Sequence, residues 1–118
     1  MGFEEGHIVS SVHNIAHHGD LSRSDQTKYV IAKNVVNSFN DYVLEWDEKE
    51  IKTFINDKLI FSYPKNDQPW ERWPFDEKFH FILNIAIGGN WGGMKGIDDT
   101  AFPTKMEIEH FRVYKKNT

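Results

Sequence analysis

The chain has 118 residues, 39% hydrophobic and 27% charged, with a formal net charge of −4. These values suit one small globular domain and exclude a disordered chain. No Lys/Arg run forms a phosphate-binding stripe and no apolar stretch approaches the roughly 20 residues of a membrane helix, so neither nucleic acid nor a membrane is an expected partner. Cysteine is absent, which removes disulfides, thiol nucleophiles and zinc–thiolate sites.

Strands and turns fill the chain from end to end. Strands are predicted at His7 to His13, Lys28 to Val35, Asp41 to Trp46, Ile51 to Ile55, Lys58 to Tyr63, Phe79 to Gly88 and Met106 to Tyr114. Asn56-Asp57, between two β-rich runs, reads as a tight hairpin turn, and Asp47 to Glu50 as a charged turn. Loops are expected at Asn14 to Gln26, Pro64 to Asp76 and Gly89 to Lys105; the last is long for a compact domain, and such loops are often functional. Short strands separated by turn signals predict an all-β antiparallel sandwich, residues 1–118 forming part of one domain.

The most informative stretch is Trp73 to Gly93, WPFDEKFHFILNIAIGGNWGG. Alternation across a strand places Phe79, Phe81, Leu83, Ile85 and Ile87 on one face, an apolar set expected in the core. His80, Ile82, Asn84 and Ala86 form the other face, which suits a concave surface that a ligand enters. Gly88 and Gly89 permit backbone angles closed to other residues, and the loop beyond them presents Trp91.

This run resembles the C-terminal half of glycoside hydrolase family 16, the laminarinase-like β-glucanases. The resemblance continues through Gly96-Ile97-Asp98-Asp99-Thr100, Phe102-Pro103 and the closing run Met106 to Tyr114, and upstream through Tyr42-Val43-Leu44-Glu45-Trp46 and the Asn56-Asp57 hairpin. It implies the C-terminal portion of a concanavalin-like jelly roll. The parent would be a secreted or periplasmic endo-β-glucanase that cleaves β-1,3 or mixed β-1,3/1,4 glucan with retention. Met1 to Glu5 carries neither the basic start nor the apolar stretch of a signal peptide.

Retaining glycosidases place two carboxyl groups about 5–5.5 Å apart, and the family carries them in a Glu-x-Asp-x-x-Glu or Glu-x-Asp-x-Glu strand. Glu45-Trp46-Asp47-Glu48-Lys49-Glu50 matches literally, but the family's motif lies well upstream of this segment. A solvated turn also has nothing apolar to raise an acid's pKa, so the match is read as a turn. By the resemblance, Met1-Gly2-Phe3 falls a residue or two past the acid/base Glu. No catalytic residue is expected in this chain, which on that reading is inactive alone.

The binding residues implied by the resemblance are Ser11 and His13, on alternate positions of a strand beside the catalytic one, and Asn84, the polar member of the non-core face. Trp91 joins them because an indole stacks on a pyranose while its N–H donates a hydrogen bond. Trp70 and Trp73 are expected to pack, and Trp46 to lie in the core or at its boundary. His13, His17, His18 and Asp20 could ligate a metal in principle, but their irregular spacing in a polar loop reads as solvated side chains. No cofactor is required; the family's structural calcium would draw on Glu109 in the closing strand. The expected partner is a β-glucan polysaccharide or oligosaccharide. The alternatives are a non-catalytic glucan-binding module, and a fragment that forms a homo-oligomer through unpaired strand edges.

Overall fold

The computed structural model describes residues 6–17, 27–32 and 35–117. The chain divides into two compact units, Met1–Phe81 and Ile82–Thr118.

The first unit contains five strands: β1 (His7–Ser11), β2 (Thr27–Ile31), β3 (Tyr42–Trp46), β4 (Glu50–Ile55) and β5 (Lys58–Pro64). β1 pairs antiparallel with β2, and β3, β4 and β5 form a second antiparallel sheet in chain order. All five were expected from the sequence to within a few residues. The β4–β5 turn takes the left-handed angles its residues suggest, φ +46° at Asn56 and +63° at Asp57, matching the twist of a two-residue hairpin. Asp47 Oδ1 accepts hydrogen bonds from the amides of Lys49 (2.8 Å) and Glu50 (3.0 Å), so Asp47 to Glu50 is the turn predicted. Glu50 leaves it to pair with Lys52.

Ladder partners share a face of a sheet. Ile51 pairs with Tyr63 and Thr53 with Phe61, and Ile51, Ile55, Phe61 and Tyr63 are buried, which fixes the inner face. From the opposite layer Ile8 and Val12 join the same cluster, and Ser10 Oγ meets Thr53 Oγ1 at 2.7 Å. The two sheets thus form a small sandwich. The register shifts between Thr53 and Phe54, whose partners are Phe61 and Leu59; Ile60 is the extra residue of a bulge. The bulge lets Ile60 and Phe61, neighbours in sequence, both be buried. Trp73 closes the cluster at 1% exposure, its ring 5.8 Å from Tyr63 and nearly parallel to it.

Two expectations are not met. Among the described residues, neither 79–88 nor 106–114 belongs to a strand, and the apolar face assigned to the core is exposed: Phe81 and Leu83 at 55%, Ile85 at 47%. A strand needs a neighbour for its amides and a facing layer for its side chains, and among the described residues no ladder pairs with these stretches. Trp70, expected to pack, is exposed instead at 62%, while Trp46, expected in the core or at its boundary, is 41% exposed. The second unit is built of turns and a short 3₁₀ segment, Asp99–Ala101, capped by Asp98, whose carboxylate accepts from the Thr100 amide and hydroxyl.

Candidate carbohydrate-binding face

β1 positions the first two candidates. Ile8, Ser10 and Val12 face the opposing sheet, so Ser11 and His13 lie on the outer side of the layer. Ser11 Oγ accepts from Thr27 Oγ1 at 3.2 Å, its ladder partner on β2, and His13 is exposed two residues beyond the strand. Between the exposed His13 and Ile15, Asn14 turns inward and is buried. Its Nδ2 donates to the Arg72 carbonyl at 3.0 Å and reaches the Tyr63 hydroxyl at 3.4 Å. The Ala16 amide donates to the Glu71 carbonyl at 3.1 Å. These bonds clamp the segment carrying His13 to the loop before Trp73.

That loop is itself held. The Arg72 and Trp73 amides both donate to the Pro69 carbonyl at 3.0 Å. The Trp73 indole N–H donates to Asp76 Oδ1 (3.2 Å), and Lys65 Nζ reaches Asp76 Oδ2 at 2.8 Å. The Lys65 ammonium foremost, and the indole N–H with it, hold the Asp76 carboxyl below its ordinary pKa against a smaller opposing effect of burial. The Tyr63 hydroxyl, 3.1 Å from Gln68 Oε1 and 3.2 Å from the Arg72 carbonyl, donates its single proton to one of them at a time.

The outcome is a shallow hollow of about 430 Å³ lined by His13, Asn14, Ile15, Pro74 and Phe79. An apolar wall with an imidazole beside it can stack the C–H face of a pyranose and hydrogen-bond its hydroxyls. Among the described residues, its lining holds no carboxylate. Pro74 and Phe79 had no binding role in the sequence reading. The alternation that assigned Phe79 to the core hid it, although Phe79 does touch that core, with Trp46 edge-on at 5.5 Å and Phe75 at 6.0 Å. A second hollow, about 540 Å³, runs along β5 and includes Lys28, Ser62, Asn66, Gln68 and Arg72; no motif announced it.

The second unit holds the remaining candidates. Asn84 is exposed. Trp91 sits on a tight loop, 37% exposed, where the Gly93 amide donates to the Gly89 carbonyl at 3.0 Å and the Gly96 amide to the Gly93 carbonyl at 2.9 Å. Gly88 and Gly89 have φ of +69° and +82°. A Cβ at position 92 would stand 2.7 Å from the Gly88 carbonyl oxygen, and one at position 93 equally close to that of Gly89. The glycines are therefore needed both for their angles and for the closeness of the turn. Glu109 is exposed and lies 3.7 Å from His110 Nδ1. Among the described residues no three His, Asp or Glu side chains converge as metal ligands. His18 and Asp20 lie outside the described residues, as does Met1-Gly2-Phe3.

The architecture and sequence together define a glycosyl hydrolase β-sandwich. Residues 1–110 match the model of glycosyl hydrolases family 16, and the chain belongs to that family. It is similar to a β-glucanase of Rhodothermus marinus, 34% identical over 98% of this chain and 42% of that protein. In structure it is similar to the laminarinase of R. marinus, with a TM-score of 0.79 at 34% identity over 87% of this chain and 43% of the other. A Flavobacterium laminarinase matches with a TM-score of 0.76 at 32% identity, over 85% and 42%. The fold is the jelly-roll β-sandwich of these enzymes, and the chain spans less than half the length of the relatives it matches.

Proposed function

We propose that this chain is the sugar-binding C-terminal part of a β-glucan hydrolase acting on β-1,3 or mixed β-1,3/1,4 glucan, and that alone it binds glucan without cleaving it. The observation that carries the reading is the hollow beside β1, where the exposed His13 imidazole stands with Pro74 and Phe79, in a chain whose relatives include a β-glucanase and laminarinases. His13 and Ser11 would hydrogen-bond sugar hydroxyls while Phe79 stacks on a ring. Asn84 and Trp91, in the second unit, would contribute further sugar contacts.

Hydrolysis with retention requires a nucleophile and an acid/base at fixed separation. Glu45 and Glu50 do not fit those roles. Both lie at the exposed β3–β4 turn, and Glu50 is engaged by Lys52, whereas a general acid is kept protonated by an apolar surrounding. A carboxylate pair from the remainder of a family 16 domain would supply the double displacement. Two measurements on the pure chain test this: calorimetric titration with laminarihexaose and reducing-sugar release from laminarin. Binding without release is expected. Release abolished by Glu45→Gln or Glu50→Gln would overturn the assignment, and absence of binding would remove the sugar-contact role.

A further inference from the structure

Building on the sugar-binding reading above, we infer that Tyr63 is the positioning residue of the hollow, and that its hydroxyl sets the affinity for glucan without touching it. The hollow is lined by His13, Asn14, Ile15, Pro74 and Phe79, and none of the five belongs to a strand. A site carried on loops is only as exact as the rigid elements that support it. Tyr63 is such a support. It lies on β5, laddered to Ile51 of β4, the middle strand of the sheet, and it is 2% exposed.

Each wall of the hollow meets this side chain through one intermediary. Towards His13 and Ile15 the intermediary is Asn14, whose Nδ2 donates to the Tyr63 hydroxyl at 3.4 Å and to the Arg72 carbonyl at 3.0 Å. Towards Pro74 it is the pair Arg72 and Trp73. The Arg72 carbonyl stands 3.2 Å from the hydroxyl, and the Trp73 ring stacks on that of Tyr63. Towards Phe79 it is Phe75, edge-on to Tyr63 at 6.3 Å and 6.0 Å from the Phe79 ring. Every one of these residues belongs to the first unit.

Ring and hydroxyl can be separated. The ring belongs to the core, where it also stacks on Phe61 at 6.4 Å, and losing it would disturb the whole sandwich. The hydroxyl accepts from Asn14 and gives its single proton to Gln68 Oε1, at 3.1 Å, or to the Arg72 carbonyl. Without it, the segment carrying His13 and the loop carrying Pro74 are joined by fewer bonds. Looser walls leave a ligand to bear the cost of ordering them, so affinity falls although no contact with the sugar is lost. Gln68 provides the contrast. Its Nε2 donates to the Pro64 carbonyl at 2.7 Å, and it is not among the residues lining the hollow. Removing its side chain takes one acceptor from the hydroxyl and leaves the bonds to Asn14 and Arg72 in place.

Calorimetric titration of the parent chain, Tyr63→Phe and Gln68→Ala with laminarihexaose, paired with amide ¹⁵N relaxation of the sugar-free chains, tests the inference. Tyr63→Phe keeps the ring and the ladder and should weaken binding about three- to tenfold, the span of one net hydrogen bond. In the same variant the order parameters of the Asn14 to Ala16 amides should fall by at least about 0.1 from the rigid value of about 0.85, while those of β4 stay there. Gln68→Ala should bind within about twofold of the parent, because the hydroxyl then gives its proton to the Arg72 carbonyl. A hydroxyl with only a structural role would lower the melting temperature and leave the affinity of the folded chain unchanged. No binding by the folded parent would overturn the sugar-binding reading and this inference with it. Parental affinity in Tyr63→Phe, unchanged order parameters, or equal losses of affinity in the two variants would overturn this inference alone.

Discussion

Replacing Trp73 by alanine is the severest single test of the packing that supports the candidate site. Trp73 is 1% exposed. Its ring stacks on Tyr63 at 5.8 Å, meets Phe75 edge-on at 5.3 Å, and its N–H donates to Asp76. Truncating a buried Trp to Ala typically costs about 3–5 kcal/mol, and each aromatic pair contributes about 0.5–1.5 kcal/mol beyond area. The upper part of that range is expected here, because the loss includes two ring contacts and leaves Asp76 one donor short. Against a total stability of about 5–15 kcal/mol for a domain of this size, the variant is left near the threshold of folding. Urea denaturation followed by circular dichroism, with a slope of about 1–3 kcal/mol/M, should show the midpoint falling by about 1.5–3 M. Trp73→Phe keeps a stacked ring and loses the indole donor, so it should cost about 1–2 kcal/mol. A midpoint shift below about 0.5 M for Trp73→Ala, on the same slope, would refute the reasoning, since it would mean that Tyr63 and Phe75 are held without this ring.

Asn14→Ala should cost about 1–3 kcal/mol in the same denaturation assay, because it removes the buried amide's bond to the Arg72 carbonyl, and should weaken oligosaccharide binding by loosening His13. The folded-state pKa of Asp76 is depressed chiefly by Lys65, so its contribution is full above the ordinary carboxylate pKa of 3.8 and lost as pH falls through the lower folded value. The stability gap between the parent chain and Asp76→Asn, followed by thermal melts against pH, should be present near neutrality and close in that acid window. Asp57→Gly relieves a side chain held at φ +63° and creates the Asn-Gly pair favoured in such turns; it should stabilise by up to about 1 kcal/mol, read as a higher melting temperature.

Local signals wrote the first unit into the sequence. Asn56-Asp57 names its own turn, Asp47 caps the segment leading to Glu50, and the alternation in Ile8-Val9-Ser10-Ser11-Val12-His13 separates an inward from an outward face. Other features depend on contacts distant in sequence and were not legible. Asn14 reads as a loop residue until the Arg72 carbonyl stands beside it, and nothing in Lys58 to Tyr63 announces the bulge at Ile60. The clearest departure is Phe79 to Ile87. Its alternation records a strand with a buried face, yet alternation encodes only a preference, and the neighbour and facing layer must come from elsewhere. Within the candidate site, Ser11 and His13 fall on the outer face as alternation requires, while Pro74 and Phe79 join His13 only through the clamp between Asn14 and Arg72.

The central claim, that the surface around His13 receives a β-glucan chain, is tested most directly by following the imidazole resonances of the chain by nuclear magnetic resonance during titration with laminarihexaose. The account predicts saturable shifts of the His13 ring signals, accompanied by Phe79, and their loss in Phe79→Ala while the fold is retained. Saturable binding that leaves His13 and Phe79 unmoved, or no binding to a correctly folded chain, would contradict it.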